Sequence, residues 1–189
     1  MYPAHRILDR AVAFFPDRPA FVDGDIRLTY RELGARVNRL ANALTGLGLK
    51  KGDRVAILDW NSLRYAEAYY ACALAGLTFL PLNSRLAAPE LEYIFNDADA
   101  RALLFSEPFV GLYGDVKEKA PSLEIFIGMN LSGLPEGVHD YEELLSKASN
   151  NTEAAPARFD DIIQIYYTSG TTGDPKGVCL TNSNVYWCG

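Results

Sequence analysis

Apolar positions follow a helical repeat early in the chain and gather into short runs later. Ile7, Leu8, Ala11, Val12 and Phe15 share one helical face, which predicts a first helix ending at Pro16. Ala20 to Val22 and Ile26 to Leu28 flank Asp23-Gly24, a dipeptide suited to a tight hairpin turn. Thr29 and Glu32 have capping-box spacing, and the helix they open carries Leu33, Val37, Leu40, Ala41 and Leu44 on its buried face before Gly46. From Val55 the pattern changes. Val55 to Leu58, Thr78 to Leu82, Ala102 to Phe105, Leu123 to Ile127, Ile162 to Tyr167 and Val178 to Leu180 each read as a strand.

Helices are predicted between these strands. Asn61 or Ser62 caps one that runs through Tyr69, Cys72 and Ala73 to Gly76. Pro89 suits the first turn of another, with Leu91, Ile94 and Phe95 facing inward. Phe109 to Lys119 is helical, weakened by Gly111 and Gly114, and Tyr141 to Leu145 supplies one or two turns. Gly128 to His139 reads as loop, and the polar, alanine-rich stretch Ser146 to Arg158 reads as a mobile connector. Alternating strands and helices predict one α/β domain, a largely parallel sheet flanked by helices.

Composition narrows the function. Of 189 residues 49% are hydrophobic and 22% charged, as in globular proteins, and the net charge of −6 argues against a nucleic-acid partner. The longest apolar stretch, Tyr65 to Leu82, contains Glu67 and is broken by Gly76 and Pro81, so no membrane span is predicted. Met1 to Phe15 mixes charges with apolar residues, unlike a signal peptide. Cys72, Cys179 and Cys188 lack metal or redox spacing and are expected to be small buried hydrophobes in a reducing, cytoplasmic compartment. His5 and His139 stand alone and are expected at the surface or at caps. No metal ligands are assigned.

The stretch richest in chemistry is Tyr167-Thr168-Ser169-Gly170-Thr171-Thr172-Gly173-Asp174-Pro175-Lys176-Gly177-Val178. Glycines let a backbone approach a ligand closely, and successive amides in such a turn form a concave anion site. Hydroxyls fill four of the five positions from Thr168 to Thr172, adding donors without charge, and Lys176 adds a compact cation. A polyphosphate needs that set. The candidate binding residues are Thr168, Ser169, Gly170, Thr171, Thr172, Gly173 and Lys176. A plain surface turn would not need so many hydroxyls. A Walker loop would need Gly-Lys-Ser/Thr followed by a helix, whereas Pro175-Lys176-Gly177 leads into a strand.

This stretch resembles the phosphate loop of the adenylate-forming (AMP-binding) enzymes: acyl- and aryl-CoA synthetases, luciferases and peptide-synthetase adenylation domains. Leu28 to Leu33, Asn38 to Ala41, Lys51 to Ile57, Pro81-Leu82-Asn83, and Glu90-Leu91 with Asp97-Ala98 are similar to the family's N-terminal blocks, in order. Pro81-Leu82-Asn83 favours the CoA-ligase branch. The resemblance implies that the loop holds the β- and γ-phosphates of ATP while a substrate carboxylate attacks the α-phosphorus. CoA is then the acyl acceptor and Mg2+ a cofactor, with a homodimer among the assemblies it allows. A luciferase-like or peptide-synthetase adenylation domain and a non-catalytic scaffold are the alternatives.

The family's magnesium-holding Glu, ribose-binding Asp, hinge and small C-terminal domain with its catalytic Lys have no counterpart here. The resemblance therefore implies that residues 1–189 are the N-terminal part of the adenylation domain, inactive alone and with no catalytic residue of their own. One departure stands out. The family often has Leu-Thr-His-x-Asn after the loop, but Leu180-Thr181-Asn182-Ser183-Asn184 puts Asn182 where the His would be, and Asn182 is expected to cap the next helix.

Overall fold

The computed structural model describes residues 3–168 and 174–188. Helix α1 (His5–Phe14) leads to a two-stranded antiparallel hairpin, β1 (Pro19–Asp23) and β2 (Ile26–Thr29), turning at Gly24 with φ +57°. Helix α2 (Tyr30–Gly46) starts at the predicted capping box. The Thr29 hydroxyl accepts from the Glu32 amide at 3.3 Å, and the Glu32 carboxylate accepts from the Thr29 amide at 2.8 Å. Two of the four orphan amides of a helix start are thereby satisfied.

Among the described residues the main sheet has seven strands. In chain order they and their connections are β3 (Arg54–Leu58), α3 (Leu63–Ala75), β4 (Thr78–Pro81), α4 (Ala88–Asp97), β5 (Ala100–Ser106), a 3-10 turn (Glu107–Phe109), α5 (Val110–Val116), β6 (Ile125–Met129), β7 (Val138–Asp140), α6 (Tyr141–Lys147), β8 (Ile162–Thr168), β9 (Lys176–Thr181) and α7 (Asn182–Cys188). The spatial order is β7-β6-β5-β3-β4-β8-β9, parallel throughout except for the antiparallel β8–β9 pair. The predicted α/β class and largely parallel sheet are therefore observed.

The central strands β3, β4 and β5 are mostly apolar because both faces of the sheet are covered there. On one face Val55, Ile57 and Leu104 pack with Leu40 and Leu44 of α2, Cys72 of α3 and Tyr141 of α6. On the other, Ala56, Leu58, Leu103 and Phe105 pack with Leu91, Ile94 and Phe95 of α4 and Tyr113 of α5. Burying each such large side chain contributes about 1.5–3 kcal/mol. Helix α3 stops at Gly76, whose φ of +71° suits a left-handed cap, and a Cβ there would lie 3.0 Å from Ala155 Cβ.

Several expectations need correction. Within the predicted loop Gly128 to His139, Val138 begins β7, a three-residue strand paired with β6. The predicted helix Phe109 to Lys119 is regular only over Val110–Val116. The connector expected to be mobile is strapped across α2 and α3. Asn42 Nδ2 donates to the carbonyls of Ser149 (2.7 Å) and Asn151 (3.1 Å), Asn38 Nδ2 donates to that of Asn150, and Thr152 Oγ1 donates to that of Asn38. The Ala155 amide bonds the Leu74 carbonyl, and Lys51 Nζ bonds that of Pro156. Side chains of α2 thus replace the ladder that this segment lacks. His5 is buried and follows the α1 cap, Ala4, rather than serving as a cap or lying on the surface. Cys72 is buried, whereas Cys179 is exposed on the outermost strand, β9. The side chain of Cys188 lies outside the described residues.

Candidate functional site

Strands β8 and β9 bring the two arms of the candidate phosphate loop together. Ladder pairs run from Gln164↔Leu180 through Tyr167↔Gly177 to Thr168↔Lys176. Thr168 and Lys176 thus face each other across the last pair, and both are exposed. Among the described residues no carboxylate pairs with Lys176. Ser169, Gly170, Thr171, Thr172 and Gly173 lie outside the described residues. Because β8 is parallel to β4, the loop leaves from the carboxyl end of the parallel strands. Open α/β sheets bind ligands at that end.

Below the loop, side chains from distant parts of the chain converge. The Tyr167 hydroxyl donates to the carboxylate of Asp97 at the end of α4, at 2.5 Å. Burial and the bond to Asp97 together hold the Tyr167 phenol well above the ordinary tyrosine range, so it stays a donor at neutral pH. Burial, helped by the charges of Asp97 and Asp174, also raises the Tyr93 phenol on α4. A Cβ on Gly177 would lie 3.1 Å from Tyr167 Cζ and 3.2 Å from its Oη, so the Tyr167 ring occupies the space a side chain at 177 would need. None of these relations was visible as a motif. The available signal was an aromatic and a glycine placed symmetrically about the loop.

Successive strand residues face opposite ways, so Tyr166 points away from Tyr167. Tyr166 borders a cleft of about 550 Å³ with Phe21, Tyr65, Tyr69 and Phe79. Tyr65 and Tyr69 meet Phe79 edge-on at 5.4 and 5.7 Å. Burial, with Tyr166 and Asp59 nearby, pushes the Tyr65 phenol up to about 12, and burial, with Tyr70 and Tyr166, does the same to Tyr69.

Two further motif residues have structural roles. Asn83, of Pro81-Leu82-Asn83, accepts the Arg85 amide at 3.0 Å on its side chain and so shapes the turn after β4. Asn182 is not the cap of α7. Thr181 is: its hydroxyl accepts the Asn184 amide at 3.3 Å, and Asn184 Oδ1 accepts the Thr181 amide at 2.9 Å. Asn182 is buried, with Oδ1 accepting the Ala4 amide at 3.4 Å and Nδ2 donating to the Arg158 carbonyl at 3.0 Å. It ties the chain's beginning to the start of α7.

The chain, whose largely parallel α/β sheet sets Thr168 and Lys176 opposite each other at its carboxyl end, matches the family model of the AMP-binding enzymes over residues 8–188. The chain belongs to that family. It is 36% identical over 178 residues to a feruloyl-CoA synthase of an Amycolatopsis species, covering 94% of this chain and 33% of that protein. It is 35% identical over 165 residues to the long-chain-fatty-acid–CoA ligase FadD13 of Mycobacterium tuberculosis, covering 86% and 31%. Among solved structures, the anthranilate CoA ligase AuaEII in complex with anthranoyl-AMP superposes with a TM-score of 0.92 at 30% identity, covering 96% of this chain and 35% of that one. The N-terminal domain of FACL13 from M. tuberculosis gives 0.88 at 32% identity, covering 98% and 46%. The chain spans about a third of the length of the curated relatives it matches.

Proposed function

We propose that this chain carries the ATP outer-phosphate grip of an acid–CoA ligase. In that reaction a carboxylate attacks the α-phosphorus of ATP, pyrophosphate leaves, and the thiol of CoA displaces AMP from the acyl-adenylate. The observation carrying this reading is the Thr168↔Lys176 pair closing the β8–β9 ladder at the carboxyl rim, with the complete family motif between Tyr167 and Val178. The exposed hydroxyl and ammonium fit a polyphosphate. Ser169, Gly170, Thr171, Thr172 and Gly173 are proposed as the remaining donors on the strength of the motif.

Magnitudes say why a loop is needed. A lysine–phosphate contact contributes about 1 kcal/mol in water and nearer 4 at an effective dielectric of about 20. Lys176 alone does not offset the repulsion between ATP and a carboxylate. Preorganised amides and hydroxyls around the phosphates supply the rest without reorganising. Mg2+ would screen the phosphates, and its ligands and the CoA channel are expected in sequence outside these 189 residues. The chain is then the N-terminal part of the adenylation domain and forms no acyl-adenylate alone. The named acids of the relatives are both aromatic and aliphatic, so the proposal stops at a carboxylic acid. The matched relatives being CoA ligases supports CoA over another acceptor.

The test is acid-dependent ATP–pyrophosphate exchange by a full-length ligase containing this chain, followed by thioester detection with CoA. Exchange with no CoA thioester would point to another acceptor. No exchange with any acid in a broad aromatic and aliphatic panel would reject the assignment.

A further inference from the structure

We propose that Tyr167 and Asp97 are positioning residues that hold Lys176 through the bare backbone of Gly177. This deepens the phosphate-grip reading above and rests on it. Three observations converge. Tyr167 and Gly177 are direct partners in the β8–β9 ladder. A Cβ at 177 would meet Ile165 Cγ2 at 3.0 Å, Tyr167 Cζ at 3.1 Å and Tyr167 Oη at 3.2 Å, all tighter than ordinary contact. The far end of the Tyr167 ring therefore lies across β9, where any larger residue would push it away. The hydroxyl, lying over Gly177, donates to the Asp97 carboxylate.

The effect is a clamp with three members. Helix α4 supplies the fixed point: the Ile94 and Phe95 side chains, one turn before Asp97, are almost wholly buried. Asp97 accepts a charge-assisted bond, stronger than one between neutral groups. The Tyr167 ring transfers that fixed point to the outermost strand at Gly177, the residue next to Lys176. Among the described residues, the exposed β8–β9 ladder is the other hold on the loop end of β9. Glycine at 177 is needed here for space, since its φ is not among the positive ones. The same contact gives Asp97 a donor, so its carboxylate is occupied beneath a loop read as an anion site.

The test uses this chain with Tyr167→Phe, which keeps the ring, and with Asp97→Ala and Asp97→Asn, the last keeping an oxygen acceptor. Amide hydrogen exchange across Lys176 to Val178 should rise about tenfold in Tyr167→Phe and Asp97→Ala, with most of that restored in Asp97→Asn. The denaturation midpoint should move far less than the local exchange. In the second arm, MgATP is titrated to millimolar concentration while the Thr168 and Lys176 resonances are followed, with AMP as the control lacking outer phosphates. Tyr167→Phe should weaken the MgATP response several-fold and leave that to AMP unchanged. Unchanged exchange in Tyr167→Phe overturns the clamp. So does raised exchange with an undiminished MgATP response. If the unaltered chain gives no MgATP response at Thr168 or Lys176, the phosphate-grip reading is what fails for this chain, and exchange alone decides whether the clamp exists.

Discussion

Arg36 on α2 holds the carboxylate of Glu67 on α3, a group with no solvent exposure at all. One guanidinium nitrogen reaches Glu67 Oε2 at 3.2 Å, and the Tyr141 hydroxyl donates to the same oxygen at 2.6 Å. The guanidinium also bridges both oxygens of Glu142 at 2.9 Å, and Arg64 adds a third contact there. Removing one partner of a buried pair strands the other's charge, which costs about 3–5 kcal/mol. Arg36→Met, which strands the fully buried Glu67 carboxylate, should therefore destabilise the chain by about that amount in urea unfolding, while Arg36→Met combined with Glu67→Leu should cost less than Arg36→Met alone. A double variant no better than the single one would show that the ion pair is not the dominant interaction.

The pH dependence of stability follows from the same cluster and from the aromatic cleft. Burial works against an ionised Glu142, but Arg36 and then Arg64 outweigh it and hold its carboxyl below the usual range. A depressed carboxyl contributes stability that is present above the unfolded pKa and lost as pH falls through the folded one. The loss should begin near pH 4.5, and Glu142→Gln should flatten that acid limb. At the alkaline end, Tyr65 and Tyr69 are raised to about 12. The unfolded chain releases those protons from about pH 10, whereas the folded chain keeps them, so stability should fall from about pH 10 toward 12. Phenolate absorbance and denaturant midpoints measured together check this. Tyr65→Phe should shift the midpoint curve to higher pH.

Asn182→Ala should weaken the union of the first and last helices. It strips the Ala4 amide and the Arg158 carbonyl of their side-chain partner, at about 1–3 kcal/mol for buried groups left unsatisfied. Protease cleavage ahead of α1 should accelerate in step with the fall in stability. Unchanged stability would mean that water replaces both bonds.

Lys176→Ala in a full-length ligase should slow adenylation about a hundredfold, the usual result of removing one preorganised charge-stabilising donor, about 3 kcal/mol. Pyrophosphate exchange isolates that step from thioester formation. Exchange at the unaltered rate would remove Lys176 from the reaction.

Local features were legible because their partners are close in sequence. The Thr29 capping box, the Gly24 turn, the Gly76 stop and the central strands all follow from residues within a few positions of one another. The β7 strand was not, because three residues of strand exist only by pairing with β6. The connector read as mobile for the same reason: its partners are Asn38 and Asn42, more than a hundred residues earlier. Glu67 counted in the sequence only as an interruption of an apolar stretch, and its meaning depends on Arg36, 31 residues away. Thr168 and Lys176 are candidates from the motif, and the ladder sets them opposite each other. The Tyr167 contact with Asp97 joins two motif segments 70 residues apart, and neither segment shows that they touch.

The reversal of β9 against β8 has an architectural consequence. Both ends of the bridge over 169–175 spring from adjoining points on one rim. The ladder thereby fixes the separation of Thr168 and Lys176 independently of the path the chain takes between them. A slip of β9 by a single residue would turn Lys176 to the opposite face of the sheet, so the pairing register itself decides on which side a ligand would meet the ammonium.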